Sequence, residues 1–227
     1  MNKVFIYDDI GPDWAGMVSA KMVSDELRKH TGSPVELHIN SPGGSVFEAM
    51  AIYNAIATHP GGVHAVIDGV AASAASYVSL AAKTVQIAAN GMYMLHPVMG
   101  AVRGSIDEIK KYLEMMQLAN DQTLAAYQAK SQSNADKIKA MFDAETWLTP
   151  QQAMDVGFVT SIGQAFVGEQ AKIPKGMYQH APDSLVAKSD DELLANRMTL
   201  RNLSMIGARV VAESLQMRIN QLTSQLK

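Results

Sequence analysis

A largely parallel α/β sheet is the architecture that this 227-residue sequence predicts. Three observations point there: short β-branched runs, longer stretches of helical period between several of them, and Gly/Pro turn signals at the junctions. Val4 to Tyr7, Val35 to Ile39, Val63 to Ile67, Val85 to Ala88 and Tyr93 to Leu95 read as strands. Strand-helix-strand alternation implies parallel pairing through right-handed crossovers.

The first helix is expected over Trp14 to Lys29, with Trp14, Met17, Val18, Met22 and Leu27 near one face, ending at Gly32 before Pro34. A second runs from Val46 to about Thr58, where Pro60 and Gly61 stop it. The Ala- and Ser-rich run Gly69 to Lys83 is too short for the roughly 20 apolar residues of a membrane span, so it reads as a buried helix. Ser105 and Glu108 form a capping box that opens a long amphipathic helix past Tyr127, with Ile109, Tyr112, Leu113 and Met116 expected inward. Thr149, Pro150 and Gln152 open a short helix closed by Gly157, before a last strand over Phe158 to Ile162. The main domain is therefore expected over residues 1–165. Residues 166–188 read as a linker, since Gly168 to Lys188 holds Pro174, Gly176 and Pro182 with little periodicity. Residues 189–227 read as a helical tail for oligomerisation or partner binding, with Ser189 and Glu192 as a cap and apolar residues spaced from Leu203 to Leu226.

Composition narrows the chemistry. With 48% hydrophobic and 18% charged residues the chain can bury a core. The absence of cysteine excludes disulfides, thiolate nucleophiles and cysteine-ligated metals, and fits a cytoplasmic setting. A net charge of −3 argues against nucleic acid as a partner. The start, MNKVFIYDD, has neither a basic region nor a long apolar stretch, so no secretion signal or membrane anchoring is expected.

Three stretches carry residues suited to catalysis. Asn40-Ser-Pro-Gly-Gly-Ser45 follows a strand and precedes a helix, where α/β proteins place ligands, and paired glycines free backbone N–H groups for an anion. It lacks the Gly-Lys-Ser/Thr of a nucleotide-binding loop. In Gly69-Val-Ala-Ala-Ser73-Ala-Ala-Ser76, a serine sits at a strand-to-helix junction beside unpaired N–H groups. Ser73, Ser76 and Ser79 compete, and Ser73 falls at the first turn. His96, before Pro97, ends a strand, where a base for such a serine belongs. His38 and His64 lie within strands and read as structural. Glu145, or its rival Asp143, could orient the imidazole.

Together these stretches resemble the Clp protease proteolytic-subunit family. Its marks are a strand ending in INSPGG, a GxAAS nucleophile segment and a strand ending in HxP or HQP. Here they stand as Ile39 to Gly44, Gly69 to Ser73, and Met94-Leu-His96-Pro97, followed by Glu145-Thr-Trp-Leu-Thr-Pro-Gln-Gln-Ala153. The resemblance implies a ClpP/crotonase-like fold and a serine endopeptidase without cofactor or metal. It makes Ser73 the nucleophile, His96 the base and then acid, Glu145 the orienting carboxylate, and the N–H groups of Gly44 and Ala74 the oxyanion hole. The family carries Asp where Glu145 stands. It also implies homo-oligomers, two stacked rings of seven, with the helix from Ser105 as the ring-to-ring handle. An unfolding ATPase docks on such rings in the usual bacterial form, but Val35-Glu-Leu-His38 lacks the tyrosines expected near its docking pocket. Glu-Thr-Trp and the tail look more like head-maturation proteases of phages and prophages, whose substrates are scaffold or capsid protein. The alternatives are a crotonase-like acyl-CoA enzyme, a serine-lysine peptidase of the signal-peptide-peptidase kind, and a non-catalytic ring or scaffold subunit.

Overall fold

The computed structural model of the chain describes residues 1–201. Seven strands, β1 (Asn2–Tyr7), β2 (Val35–Ser41), β3 (Val63–Ala72), β4 (Thr84–Ala88), β5 (Met92–Leu95), β6 (Thr146–Leu148) and β7 (Ser161–Gly163), form one mixed sheet. Its main path, β1-β2-β3-β4-β7, is parallel throughout. Helices α1 (Ala20–Lys29), α2 (Val46–Ala57), α3 (Ala74–Ser79), α4 (Ile106–Lys130), α5 (Ala135–Asp143) and α6 (Pro150–Asp155) supply the connections.

β3 divides the sheet, and that division positions the site. Its first half pairs with β4 through His64 to Ile67, whereas Val70 to Ala72 pair with Met92 to Met94 of β5. One strand thus feeds two neighbours, and the ends of β3 and β5 emerge side by side. β5 in turn pairs antiparallel with β6, which brings the Thr146–Leu148 segment to the same corner. The core between sheet and helices holds Leu37, Ile39, Ile52, Ile67, Tyr93, Tyr127, Phe142 and Phe158, all fully buried or nearly so.

Several expectations are revised. The first helix begins at Ala20, because Gly16 adopts a left-handed conformation and Ser19 caps the helix by accepting from the Met22 N–H. Trp14 falls in a 3-10 turn before it and is 86% exposed. The Gly69 to Lys83 run is buried as expected, but β3 continues to Ala72 and only six residues form α3. The last strand lies at Ser161–Gly163, while Phe158 and Val159 are buried before it. The capping box at Ser105 does open α4, yet Leu113 is 60% exposed and the helix buries residues only from Ala119 onward.

Residues 166–188, expected as a linker, are irregular but not free. Ala171, Ile173, Tyr178, Leu185 and Ala187 are buried, and the first four join Tyr7, Val70, Ala72 and Met94 in a second apolar cluster. Residues 190–201 are helical, and this helix is held by Arg197 against Asp8 and Asp9 and by Arg201 against Asp8. The apolar spacing from Leu203 to Leu226 lies outside the described residues. No helix among the described residues is long and apolar enough to cross a membrane.

Candidate active site

Ser73 stands where β3 gives way to α3, with φ +56° and ψ −122°. Such backbone costs a residue with a Cβ about 1–3 kcal/mol, a strain concentrated at functional turns. The Ser73 N–H donates to the Met94 carbonyl of β5 (3.0 Å), so the turn is pinned to the strand that carries His96. The result is a contact of 2.6 Å between Ser73 Oγ and His96 Nε2. The competing serines are committed elsewhere. Ser76 Oγ lies within hydrogen-bond distance of the Ser73 and Met94 carbonyls and of the Tyr127 hydroxyl, and Ser79 bonds the Ser76 carbonyl.

His96 is 7% exposed. Burial pushes its pKa down to about 4, against the opposing charge of Glu145, so the imidazole is neutral at pH 7 and can accept a proton. The remaining histidines have other duties: His38 contacts Asp68 and Glu36, His64 contacts Thr84, and His59 lies against the Leu27 carbonyl.

The glycine loop after β2 is held from two sides. Ile10 N–H donates to the Gly43 carbonyl (2.7 Å), and Ser45 N–H donates to the Ile10 carbonyl (2.8 Å). A Cβ on Gly44 would stand 2.0 Å from the Ile10 carbonyl oxygen, so only glycine permits this approach at its φ of +140°. Gly43 is equally confined, by Ala72 and Ser73. The N–H groups of Gly44 and Ala74 have no acceptor among the described hydrogen bonds, and Ala74 opens α3, where first-turn amides lack intrahelical partners. Gly44, Ser73, Ala74 and His96 share one cleft of about 380 Å³, walled by apolar side chains including Phe47 and Met99.

Glu145 occupies the turn between α5 and β6 with φ +49°. Its carboxylate accepts from the backbone N–H groups of His180 (2.6 Å) and Gln179 (3.0 Å). Among the described hydrogen bonds none joins it to His96. Asp143 is half-exposed and paired with Lys139 at 2.5 Å, turned away to the surface of α5.

Two residues of this corner escaped the sequence reading. Tyr178 sets its ring edge-on against His96 (centroids 5.1 Å apart), and its hydroxyl donates to the Pro42 carbonyl (2.7 Å). Asn40, fully buried, accepts at Oδ1 from the N–H groups of Val70 and Ala171 and donates through Nδ2 to the Glu169 carbonyl. A Cβ on Gly69 would meet that Oδ1 at 2.5 Å, which accounts for glycine there. A tyrosine amid Pro and Gly without periodicity offers little sign of burial, and Asn40 sits in a motif whose glycines draw the eye.

No group of three or more His, Asp or Glu among the described residues is placed to hold a metal ion. The Clp protease family profile matches residues 1–165. Among curated relatives, the ATP-dependent Clp protease proteolytic subunit 2 of Mycolicibacterium paratuberculosis is 26% identical over 161 residues, 70% of this chain and 80% of that protein. Proteolytic subunit 1 of Protochlamydia amoebophila is 27% identical over 168 residues, 72% of this chain and 81% of that protein. A solved structure of a ClpP1 mutant from Listeria monocytogenes is 25% identical and superposes with a TM-score of 0.63 over 72% of this chain and 91% of that one.

Proposed function

This chain belongs to the Clp protease family, and from that premise we propose that it is a serine endopeptidase working through an acyl-enzyme. The contact between Ser73 Oγ and His96 Nε2 at 2.6 Å, beside two amides without acceptors, carries the reading. Neutral His96 takes the Ser73 proton as Oγ attacks the peptide carbonyl. The N–H groups of Gly44 and Ala74 hold the oxyanion, each worth about 10²–10³ in rate. His96 then returns the proton to the leaving amine, and a water repeats the sequence to release the acid. Glu145 supplies the charge that favours the imidazolium. The chemistry uses no metal or organic cofactor.

Among the described residues none that lines the cleft is Asp or Glu, which disfavours the acyl-CoA alternative, since that reaction would employ acidic residues at the reacting carbon. Exposed Ile106, Leu113 and Leu118 on α4 support assembly into rings through this helix, which would confine the peptidase chamber. The narrower reading, head maturation in a phage or prophage with scaffold or capsid protein as substrate, draws on Glu145-Thr-Trp and the tail. It places the enzyme in the bacterial cytoplasm or the prohead.

The test combines fluorophosphonate labelling with a mass measurement of the assembled particle. We expect one adduct, on Ser73, lost in Ser73→Ala, and a mass of several subunits. No adduct on the assembled protein overturns the peptidase reading, and turnover of scaffold protein that persists in Ser73→Ala overturns the narrower one.

A further inference from the structure

We propose that residues 166–187 form a strap that completes the catalytic site, in which Tyr178 positions His96 and the backbone N–H groups of Gln179 and His180 fix the Glu145 carboxylate. This rests on the reading of Ser73 and His96 as the reacting pair. The strap lies outside residues 1–165, over which the family profile matches.

The need for it follows from the choice of acid. Glutamate has one more rotatable bond than aspartate, so ordering its side chain costs more conformational entropy. Each Glu145 oxygen takes one strap N–H, so the carboxylate is held at two points and each oxygen keeps a lone pair for another donor. The Nδ1–H of His96 is the donor that a triad requires, and the Glu145 charge already acts on that ring. Held this way, the acid keeps acceptor capacity for the His96 Nδ1–H.

Tyr178 does the same for the base. Its ring is 7% exposed and lies between His96 and Trp147, edge-on to both, at centroid distances of 5.1 and 5.9 Å. Its hydroxyl bond to Pro42 ties the ring to the oxyanion loop, so one side chain joins the loop, the base and the acid's holder. The groups facing His96 are the Ser73 hydroxyl, the Tyr178 ring and the Glu145 charge.

The strap is anchored to its surroundings. Asn40 holds Glu169 and Ala171 where it begins. The following helix grips this first part as well, with Asn196 accepting from the Lys172 N–H, and beyond the strap Arg197 pairs with Asp8 and Asp9. Within it, Ile173 N–H bonds the Leu185 carbonyl and Ala187 N–H bonds the Ile173 carbonyl. A segment fixed at so many points is a structural member of the site.

The experiment compares Tyr178→Ala and Tyr178→Phe in the full chain, with Lys137→Ala at an exposed position of α5 as control. Histidine Cε1–H NMR titration and Ser73 labelling by a fluorophosphonate are read on each, with kcat and KM for a peptide substrate. In Tyr178→Ala the His96 midpoint rises from about 4 toward the unperturbed 6.5. Labelling and kcat fall about tenfold or more, because the group that positions the base is lost. Tyr178→Phe keeps the ring and recovers most of both, and Lys137→Ala behaves as the unaltered chain. An unmoved His96 midpoint in Tyr178→Ala overturns the strap, as does labelling equal to or faster than the unaltered chain. If the unaltered chain is never labelled, the peptidase reading falls, and the His96 midpoint still decides the strap by itself.

Discussion

Replacing Asn40 by Ala tests how the glycine loop, the nucleophile strand and the strap are joined. Its amide makes three hydrogen bonds in a fully buried position: from Val70 N–H (3.1 Å), from Ala171 N–H (2.8 Å) and to the Glu169 carbonyl (2.8 Å). In Asn40→Ala the two N–H groups, on buried residues, lose their acceptor, at about 1–3 kcal/mol each. The Glu169 carbonyl belongs to an exposed residue and can turn to water at little cost. The side-chain void adds a smaller penalty, so the expected loss is about 3–5 kcal/mol, a large share of the roughly 5–15 kcal/mol that holds a domain together. Urea unfolding at fixed protein concentration measures it, since assembly makes stability concentration-dependent. Amide hydrogen exchange at Ala171 localises it, with protection there falling well below that of β4, an inner strand between β3 and β7. A loss under about 1 kcal/mol with unchanged Ala171 protection would refute the reasoning, because it would mean the amide is readily replaced by water.

Other perturbations reach the remaining parts of the site. His96 has a folded pKa of about 4, below the 6.5 it regains on unfolding, so the unfolded chain binds the extra proton first. The neutral imidazole therefore costs no stability above pH 6.5 and as much as roughly 3 kcal/mol by pH 4. His96→Gln should flatten that part of the acid limb in urea midpoints followed from pH 7 to 4. Gly44→Ala places a Cβ 2.0 Å from the Ile10 carbonyl oxygen, so the loop must shift, and Ser73 labelling should slow by about 10²–10³ as one oxyanion donor moves away. Glu145→Gln should lower kcat/KM by about 10² or more, whereas Asp143→Asn, altering only a surface pair with Lys139, should stay within about twofold.

The strands were legible because Val, Ile and Tyr runs have no other comfortable backbone, and β1 to β5 lie where those runs lie. β6 was not: Thr146-Trp-Leu148 is too short for alternation to register, and its existence depends on β5 already being there. Trp14 misled by fitting a helical face that Gly16 and Ser19 interrupt, a local backbone effect stronger than the apolar spacing. Leu113 was expected inward on an apolar face of α4, but periodicity says nothing of what covers such a face, and Leu113 is 60% exposed. Ser73 and His96 were found separately and the fold brings them together, because β3 and β5 pair through residues that carry no chemistry of their own. Glu145 was already favoured over Asp143 by the resemblance, and what the sequence did not show is that its carboxylate accepts from the Gln179 and His180 N–H groups. Both belong to one short stretch, yet the Glu145 side chain is largely buried while Asp143 pairs with Lys139 at the surface.

The Glu145 carboxylate has a temporal consequence. Serine, imidazole and carboxylate are all translated by residue 145, yet the two amides that grip the acid belong to residues 179 and 180. A ribosome making this polypeptide therefore releases the reactive hydroxyl and its base before their partner has been secured. On the proposed peptidase reading, neighbouring nascent chains meet an incomplete site until residues 179 and 180 emerge and wrap back.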